Sequence, residues 1–224
     1  MRDTGIIWDL DGTLLDTLED LKDGTNFALR SFGCPERSLE EIRRFVGNGA
    51  ANLIQRALPG KDDDPDRAEV LACFKEYYDG HCQVKTGPYP GILEVLEEFR
   101  RRGYPMAVVS NKPDSAVNIL CRDYFAGLIP HTQGDTPGVP RKPAPDMVYK
   151  AAEKLGLTPE RCIYVGDSEV DVRTAKNAGM VCLSVTWGFR DEEEIRAAGG
   201  SHFCRKVEDL PKMVEKLEEM LHGK

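Results

Sequence analysis

From residue 91 onward the chain alternates between helical periodicity and short apolar runs, and this alternation restricts the fold more than any other feature. Helices are predicted over 91–102, 114–121, 145–155 and 170–178. Strands are predicted over 106–109, 162–165 and 181–185, with a weaker one near 128–131. Consecutive parallel strands need crossover connections, and helices supply these while covering both faces of the sheet. Residues 5–8 are another short apolar run, 202–204 a final edge strand, and 210–221 a closing amphipathic helix. The fold class is therefore α/β, a parallel-sheet core with helices on both faces.

Between the first strand and residue 88 the pattern is different. Helical periodicity recurs over 21–32, 39–46, 50–58 and 66–78, with an acidic, proline-containing loop at 61–65. Pro88, Pro90 and Gly91 then punctuate the chain. The predicted organisation is an α/β core from 1–14 and 88–224, with an all-helical domain, 15–87, inserted after the first strand.

Asp9 and Asp11 end the first apolar run and are followed by Gly12. Asp-Gly between apolar residues is also a hairpin signal; the helical periodicity that follows argues against a returning strand. In an open parallel sheet, ligands collect outside the carboxyl ends of the strands. The other predicted strand ends carry Ser110-Asn-Lys112 and Gly166-Asp-Ser-Glu-Val-Asp171, and Lys142 lies in the loop before the 145–155 helix. Asp9, Asp11, Asp167 and Asp171 thus converge with a hydroxyl, an amide and a lysine.

Two like charges about 4 Å apart repel by roughly 4 kcal/mol at an effective dielectric near 20. Several such pairs rival the whole stability of a domain, about 5–15 kcal/mol, so the cluster calls for a cation. The donors on offer are oxygens, which suits Mg²⁺ and disfavours zinc. Beside such an ion a carboxylate can attack phosphorus to give an aspartyl phosphate, and an acid two residues along can handle protons.

Asp9-x-Asp-Gly-Thr-Leu-x-Asp-Thr17, Ser110 at a strand end, Lys142 before a proline, and Gly166-Asp-Ser-x-x-Asp171 resemble, in order, the four motifs of the haloacid dehalogenase superfamily of phosphohydrolases. The resemblance implies a Rossmann-like core with a helical cap, Mg²⁺ as cofactor, and two-step phosphate release from a small phosphorylated metabolite. It implies that Asp9 is nucleophile and metal ligand. Asp11 would protonate the leaving alcohol, activate water and lend its main-chain carbonyl to the metal. Asp167 would complete the metal site, and Asp171 would act through water or by holding Lys142. Gly12, Thr13, Ser110, the amide of Asn111 and Lys142 would order or bind the phosphoryl group. Within the inserted helices, Phe45-Val-Gly-Asn-Gly-Ala50 with Leu53 and Ala57-Leu58 resembles phosphoglycolate phosphatases. There Gly47, Asn48 and Gly49, with Arg43 and Arg44 nearby, are candidates for gripping a substrate carboxylate.

Each assignment has a structural alternative. Ser110 or Asn111 could cap the helix that follows, Asp167 could be an N-cap, Asp171 and Glu169 could be first-turn acids, and Gly47-Asn-Gly49 could be a turn between helices. Arg141 rivals Lys142 as the phosphate-binding cation. A hexose-phosphate mutase of the β-phosphoglucomutase kind, a pyrophosphatase and a receiver-like phosphoacceptor module are the competing functions. Asp11 and the long helical insertion argue against the last.

The formal net charge of −8 offers no excess of Lys and Arg for nucleic acid or an anionic membrane. Seven cysteines without a Cys-x-x-Cys pair read as reduced thiols, and no apolar run is long enough for a signal peptide or a membrane span. The expected location is the cytoplasm; the oligomeric state is not legible.

Overall fold

Ile6, Ile7 and Trp8 have no exposed surface because their strand, β1 (Gly5–Trp8), lies inside a six-stranded parallel sheet. The computed structural model describes residues 2–60 and 65–223, so most of the predicted acidic loop at 61–65 lies outside the described residues. β4 (Met106–Pro113) and β6 (Cys162–Gly166) flank β1. β5 (His131–Asp135) pairs beyond β4, and β7 (Val181–Val185) and β8 (His202–Cys204) continue beyond β6. The chain winds outward from β1 through β4 to β5, then returns to build β6, β7 and β8. The winding therefore reverses between β1 and β6, the place where a doubly wound sheet opens a crevice for ligands.

Alternate residues of β1 face opposite ways. Ile6 and Trp8 join a core with Leu96 and Phe99 of α5 (Ile92–Arg101) and Val214 and Leu217 of α10 (Leu210–His222). Ile7 joins a second core with Met147, Val148 and Ala151 of α7 (Asp146–Lys154) and Ala175 of α8 (Glu169–Ala178). Helices thus cover both faces of the sheet, with α6 (Asp114–Phe125) sending Val117 and Leu120 into the first core. Buried Cys121, Cys162 and Cys204 are free thiols. Among the described residues no helix is long and apolar enough to cross a membrane.

The helical insertion comprises α1 (Leu18–Ser31), α2 (Leu39–Phe45), α3 (Ala50–Ala57) and α4 (Arg67–His81). Ser38 starts α2 with a reciprocal capping box to Glu41, and Asp66 caps α4 by accepting from the Ala68 amide at 2.6 Å. Buried Asp20 on α1 accepts from the backbone amides of Lys85 and Thr86 at 3.0 and 2.9 Å, which ties the returning chain to the helices.

Four features depart from the sequence reading. Gly12 to Leu15 form a tight turn, closed by the Gly12 amide on the Leu15 carbonyl at 2.8 Å. It leads into β2 (Leu15–Asp16), which pairs antiparallel with β3 (Gly87–Pro88) rather than with β1. Two-residue strands carry no periodicity, so the sequence showed only the helix that follows. β5 lies at 131–135 instead of 128–131: an edge strand tolerates the polar run His-Thr-Gln-Gly-Asp, while Ile129 is buried in the turn before it. β4 runs on to Pro113, with an irregular register beyond Val109. The short α9 (Glu192–Ala197) buries only Ile195 and so shows no apolar stripe.

Phe99 tests the first core, because its fully buried ring packs 5.9 Å from that of Trp8 and 5.3 Å from that of Tyr104. Phe99→Ala is expected to cost about 3–5 kcal/mol in urea unfolding; a loss below about 1 kcal/mol would place the ring outside the load of that core.

Candidate active site

β1 and β6 deliver their carboxylates to the crevice between them. The Asp9 amide bonds to the Val165 carbonyl at 2.8 Å, continuing the ladder one residue past β1 and bringing Asp9 beside Asp167. Asp9, Asp167 and Asp171 are all buried, with one carboxylate oxygen from each inside a 4.8 Å cluster. Lys142 inserts its ammonium among them, 2.8 Å from Asp9 Oδ1 and 2.9 Å from Asp171 Oδ1, with the Tyr164 hydroxyl at 3.0 Å. Asp9 Oδ1 also accepts from the Leu10 amide at 2.7 Å.

Asp171 is held on its other side by Ser168, whose hydroxyl and amide donate to Oδ2 at 2.6 and 3.0 Å. These bonds form the capping box of α8, so the N-cap is Ser168 and not Asp167. Asp167 instead accepts from the Phe189 amide at 2.7 Å and the Thr13 hydroxyl at 3.2 Å. Gly12 makes this closeness possible. Its φ of +84° suits glycine, and a Cβ there would collide with the Asp167 carboxylate.

Burial, reinforced by the charge of Asp171, drives the Asp9 carboxyl well above its ordinary range despite the opposing pull of Lys142. Burial likewise lifts Asp167, with Asp171 adding to it, to about 7. Burial alone would lower Lys142, but Asp171 and Asp9 outweigh it and hold the ammonium well above its usual value. The site is short of positive charge even with Lys142 in place. Its donors are carboxylate oxygens close enough to share one small ion, which fits a hard divalent cation.

Ser110 and Asn111 do not cap α6, whose N-cap is Pro113 with no side-chain bond. The Asn111 side chain accepts from the Lys142 amide at 2.9 Å and donates to the Lys142 carbonyl at 3.0 Å, fixing the lysine's backbone. It also donates to the Gly47 carbonyl at 3.2 Å, a contact with the helical insertion. The Ser110 hydroxyl accepts from the Lys112 amide at 3.2 Å. Asp11 stands apart from the three-acid cluster and pairs with Lys112 at 2.9 Å.

A cavity of about 70 Å³ connects these groups. Asp9, Asp11, Ser110, Asn111, Lys142 and Asp167 line it from the sheet, and Leu21, Val46, Gly47, Gly49, Leu53 and Phe74 from the helices. Arg44 and Asn48 are not among its lining residues. The Arg44 side chain is 74% exposed and pairs with Glu40, Arg43 pairs with Asp191, and the Asn48 carbonyl accepts from Asn52. Arg141, the rival cation, pairs with Asp135.

Sequence reasoning gave no role to two cations that do line the cavity. Lys112 is buried, bonded to Asp11 and, at 2.8 Å, to the Tyr78 hydroxyl of α4. Arg190 is buried after β7, paired with Glu169 at 3.1 Å, and donates to the carbonyls of Arg43 and Val46 at 2.7 and 2.6 Å. The signal was present in both cases, since Lys112 lies at the carboxyl end of β4 and Arg190 follows that of β7. Glu169 is thus a partner of Arg190 rather than a simple first-turn acid.

The sequence pattern of the haloacid dehalogenase-like hydrolases matches residues 6–185. The chain belongs to that family. This hydrolase is 33% identical over 228 residues to phosphoglycolate phosphatase 1 of Pseudomonas aeruginosa, covering 96% of this chain and 81% of the relative. It is 34% identical over 216 residues to phosphoglycolate phosphatase of Vibrio parahaemolyticus, covering 93% and 95%. A crystal structure from Lactobacillus delbrueckii subsp. bulgaricus superposes with a TM-score of 0.86 at 35% identity, covering 99% of each chain. The hydrolase acts as a phosphoric monoester hydrolase.

Asp167 gives a pH test. Its folded-state value of about 7 lies above an unfolded value of about 3.9. The stability from its neutral form is therefore fully present below pH ~4 and lost as pH rises through about 7. In divalent-free buffer, Asp167→Asn should melt higher than wild type near pH 8, and the gap should close toward pH 4. A gap that does not depend on pH would contradict the assignment.

Proposed function

We propose that the protein is a Mg²⁺-dependent phosphatase of a small phosphorylated metabolite, with 2-phosphoglycolate as its first substrate, acting in the cytoplasm. The observation that carries the chemistry is the buried Asp9 carboxylate, held by Lys142 and facing Asp167 across the reversal point of the sheet. The substrate reading is supported by relatives named as phosphoglycolate phosphatases and by the small size of the cavity.

In this reading Asp9, Asp167 and the main-chain carbonyl of Asp11 would hold the ion, with Asp171 steadying Lys142. Bound there, Mg²⁺ supplies the positive charge that lets an anionic ester approach a carboxylate. Asp9 attacks phosphorus, and the bond from phosphorus to the ester oxygen breaks as the aspartyl phosphate forms. Asp11 donates its proton to the departing alkoxide, so the product leaves as the alcohol. Water then attacks the same phosphorus, giving a proton to Asp11, and orthophosphate leaves with Asp9 restored. Lys142, the Ser110 hydroxyl and the backbone amides of Gly12, Thr13 and Asn111 steady the phosphoryl oxygens.

Residues 15–87 act as a cap. The Arg190 bonds to the carbonyls of Arg43 and Val46, and the Asn111 bond to Gly47, draw the insertion onto the core and shut water out while phosphorus is attacked. Release of product requires those bonds to open. The near-complete burial of Asp9 and Lys142 supports this reading of the cap.

A phosphate-release screen over 2-phosphoglycolate, glucose 1-phosphate, nucleotides and pyrophosphate, with and without Mg²⁺, tests the function. The expected result is Mg²⁺-dependent release, highest with 2-phosphoglycolate; a preference for glucose 1-phosphate or pyrophosphate would overturn the substrate assignment. Asp9→Asn should lower kcat by at least about 10³-fold with circular dichroism unchanged. Turnover within tenfold of wild type would remove Asp9 from the nucleophile's role.

A further inference from the structure

We propose that Lys112, with the hydroxyl of Tyr78, forms a second anion site that selects phosphate esters carrying a carboxylate on their alcohol part. This rests on the phosphatase reading above and extends it to the residues that read the far end of the substrate.

The cationic donors that line the cavity are not equally committed. The Lys142 ammonium is held at the phosphoryl end of the cavity by Asp9, Asp171 and Tyr164. The Arg190 guanidinium is spent on Glu169 and on carbonyls of the helical insertion. Lys112 is different. Its side chain is 3% exposed, and its bonds among the described residues are to Asp11 at 2.9 Å and to the Tyr78 hydroxyl at 2.8 Å. An ammonium has three N–H donors, so one remains for a ligand in the cavity that Lys112 lines.

Position supports the same assignment. Ser110 and Lys112 lie two residues apart where β4 loses its regular register, and both line the cavity. One is placed for the phosphoryl group and the other for a second anion a carbon or two away. The surrounding wall is apolar, built from Leu21, Val46, Leu53 and Phe74. A carboxylate taken into such a wall without a cation would be strongly disfavoured, whereas beside Lys112 it exchanges water for a charge-assisted bond. The site is complete only with α4 in place, because Tyr78 comes from the insertion. Its ring also lies 4.8 Å from the Lys112 ammonium, which holds the cation against that wall. Recognition of the carboxylate and docking of the cap are thereby one event.

The test compares 2-phosphoglycolate with ethyl phosphate, which keeps the two-carbon skeleton and lacks the carboxylate. For wild type, kcat/KM should favour 2-phosphoglycolate. In Lys112→Met that preference should fall about 10- to 100-fold, mainly through KM for the carboxylate ester. Tyr78→Phe keeps the ring and the fold, and should reduce the preference several-fold in the same direction. Equal losses on both esters in both variants would overturn the proposal and leave Lys112 as a positioning residue for Asp11. Wild-type turnover of both esters without preference would overturn it alone. No phosphate release by wild type from either ester would overturn the function proposed above as well.

Discussion

The buried ammonium of Lys142 is the constraint on which the rest of the structure depends. Three carboxylates within 4.8 Å of one another cannot all be left ionised in a closed cavity without countercharge. Lys142 contacts two of them directly, and its own backbone is fixed on both sides by Asn111. Ser168 fixes Asp171 from the opposite side, and Phe189 and Thr13 fix Asp167. Each acid therefore has a distinct set of partners. Asp171 is saturated by Lys142 and Ser168, while Asp9 and Asp167 remain pushed toward the neutral form and open to a cation.

The sheet explains why these groups meet. Reversal of winding between β1 and β6 leaves a gap at the carboxyl ends that no connecting helix fills. The chain places its acids on the two strands bordering that gap and its phosphate-facing hydroxyl on β4, next to β1. The helical insertion leaves the core through the β2–β3 ribbon, held by Asp20, and comes back over the same gap. One opening in the sheet thus sets both the acid cluster and the surface that closes it.

Much of this was legible in the sequence because it follows from local pattern. β7 was predicted at its observed limits, β6 and α8 to within a residue, and Asp9, Asp11, Asp167 and Lys142 all line or border the cavity where strand ends predict. What was not legible has long-range causes. Lys112 sits in the strand-end run Ser110-Asn-Lys112, but its partner Tyr78 lies 34 residues away on a helix whose docking no local signal encodes. Arg190 reaches Val46 across 144 residues, while Arg44 pairs with Glu40 at the surface. Ser168 rather than Asp167 became the cap of α8, since Asp167 was drawn off by the Phe189 amide.

The central claim is that phosphorus becomes covalently attached to the Asp9 carboxylate during turnover. Acid quenching of the enzyme in the first milliseconds with 2-phosphoglycolate and Mg²⁺, followed by peptide mass spectrometry, tests it most directly. The account predicts one acid-stable, hydroxylamine-labile phosphoryl group on the peptide containing Asp9, and none in Asp9→Asn. Phosphoryl label on a different residue, or turnover at the wild-type rate with no labelled peptide at any quench time, would contradict it.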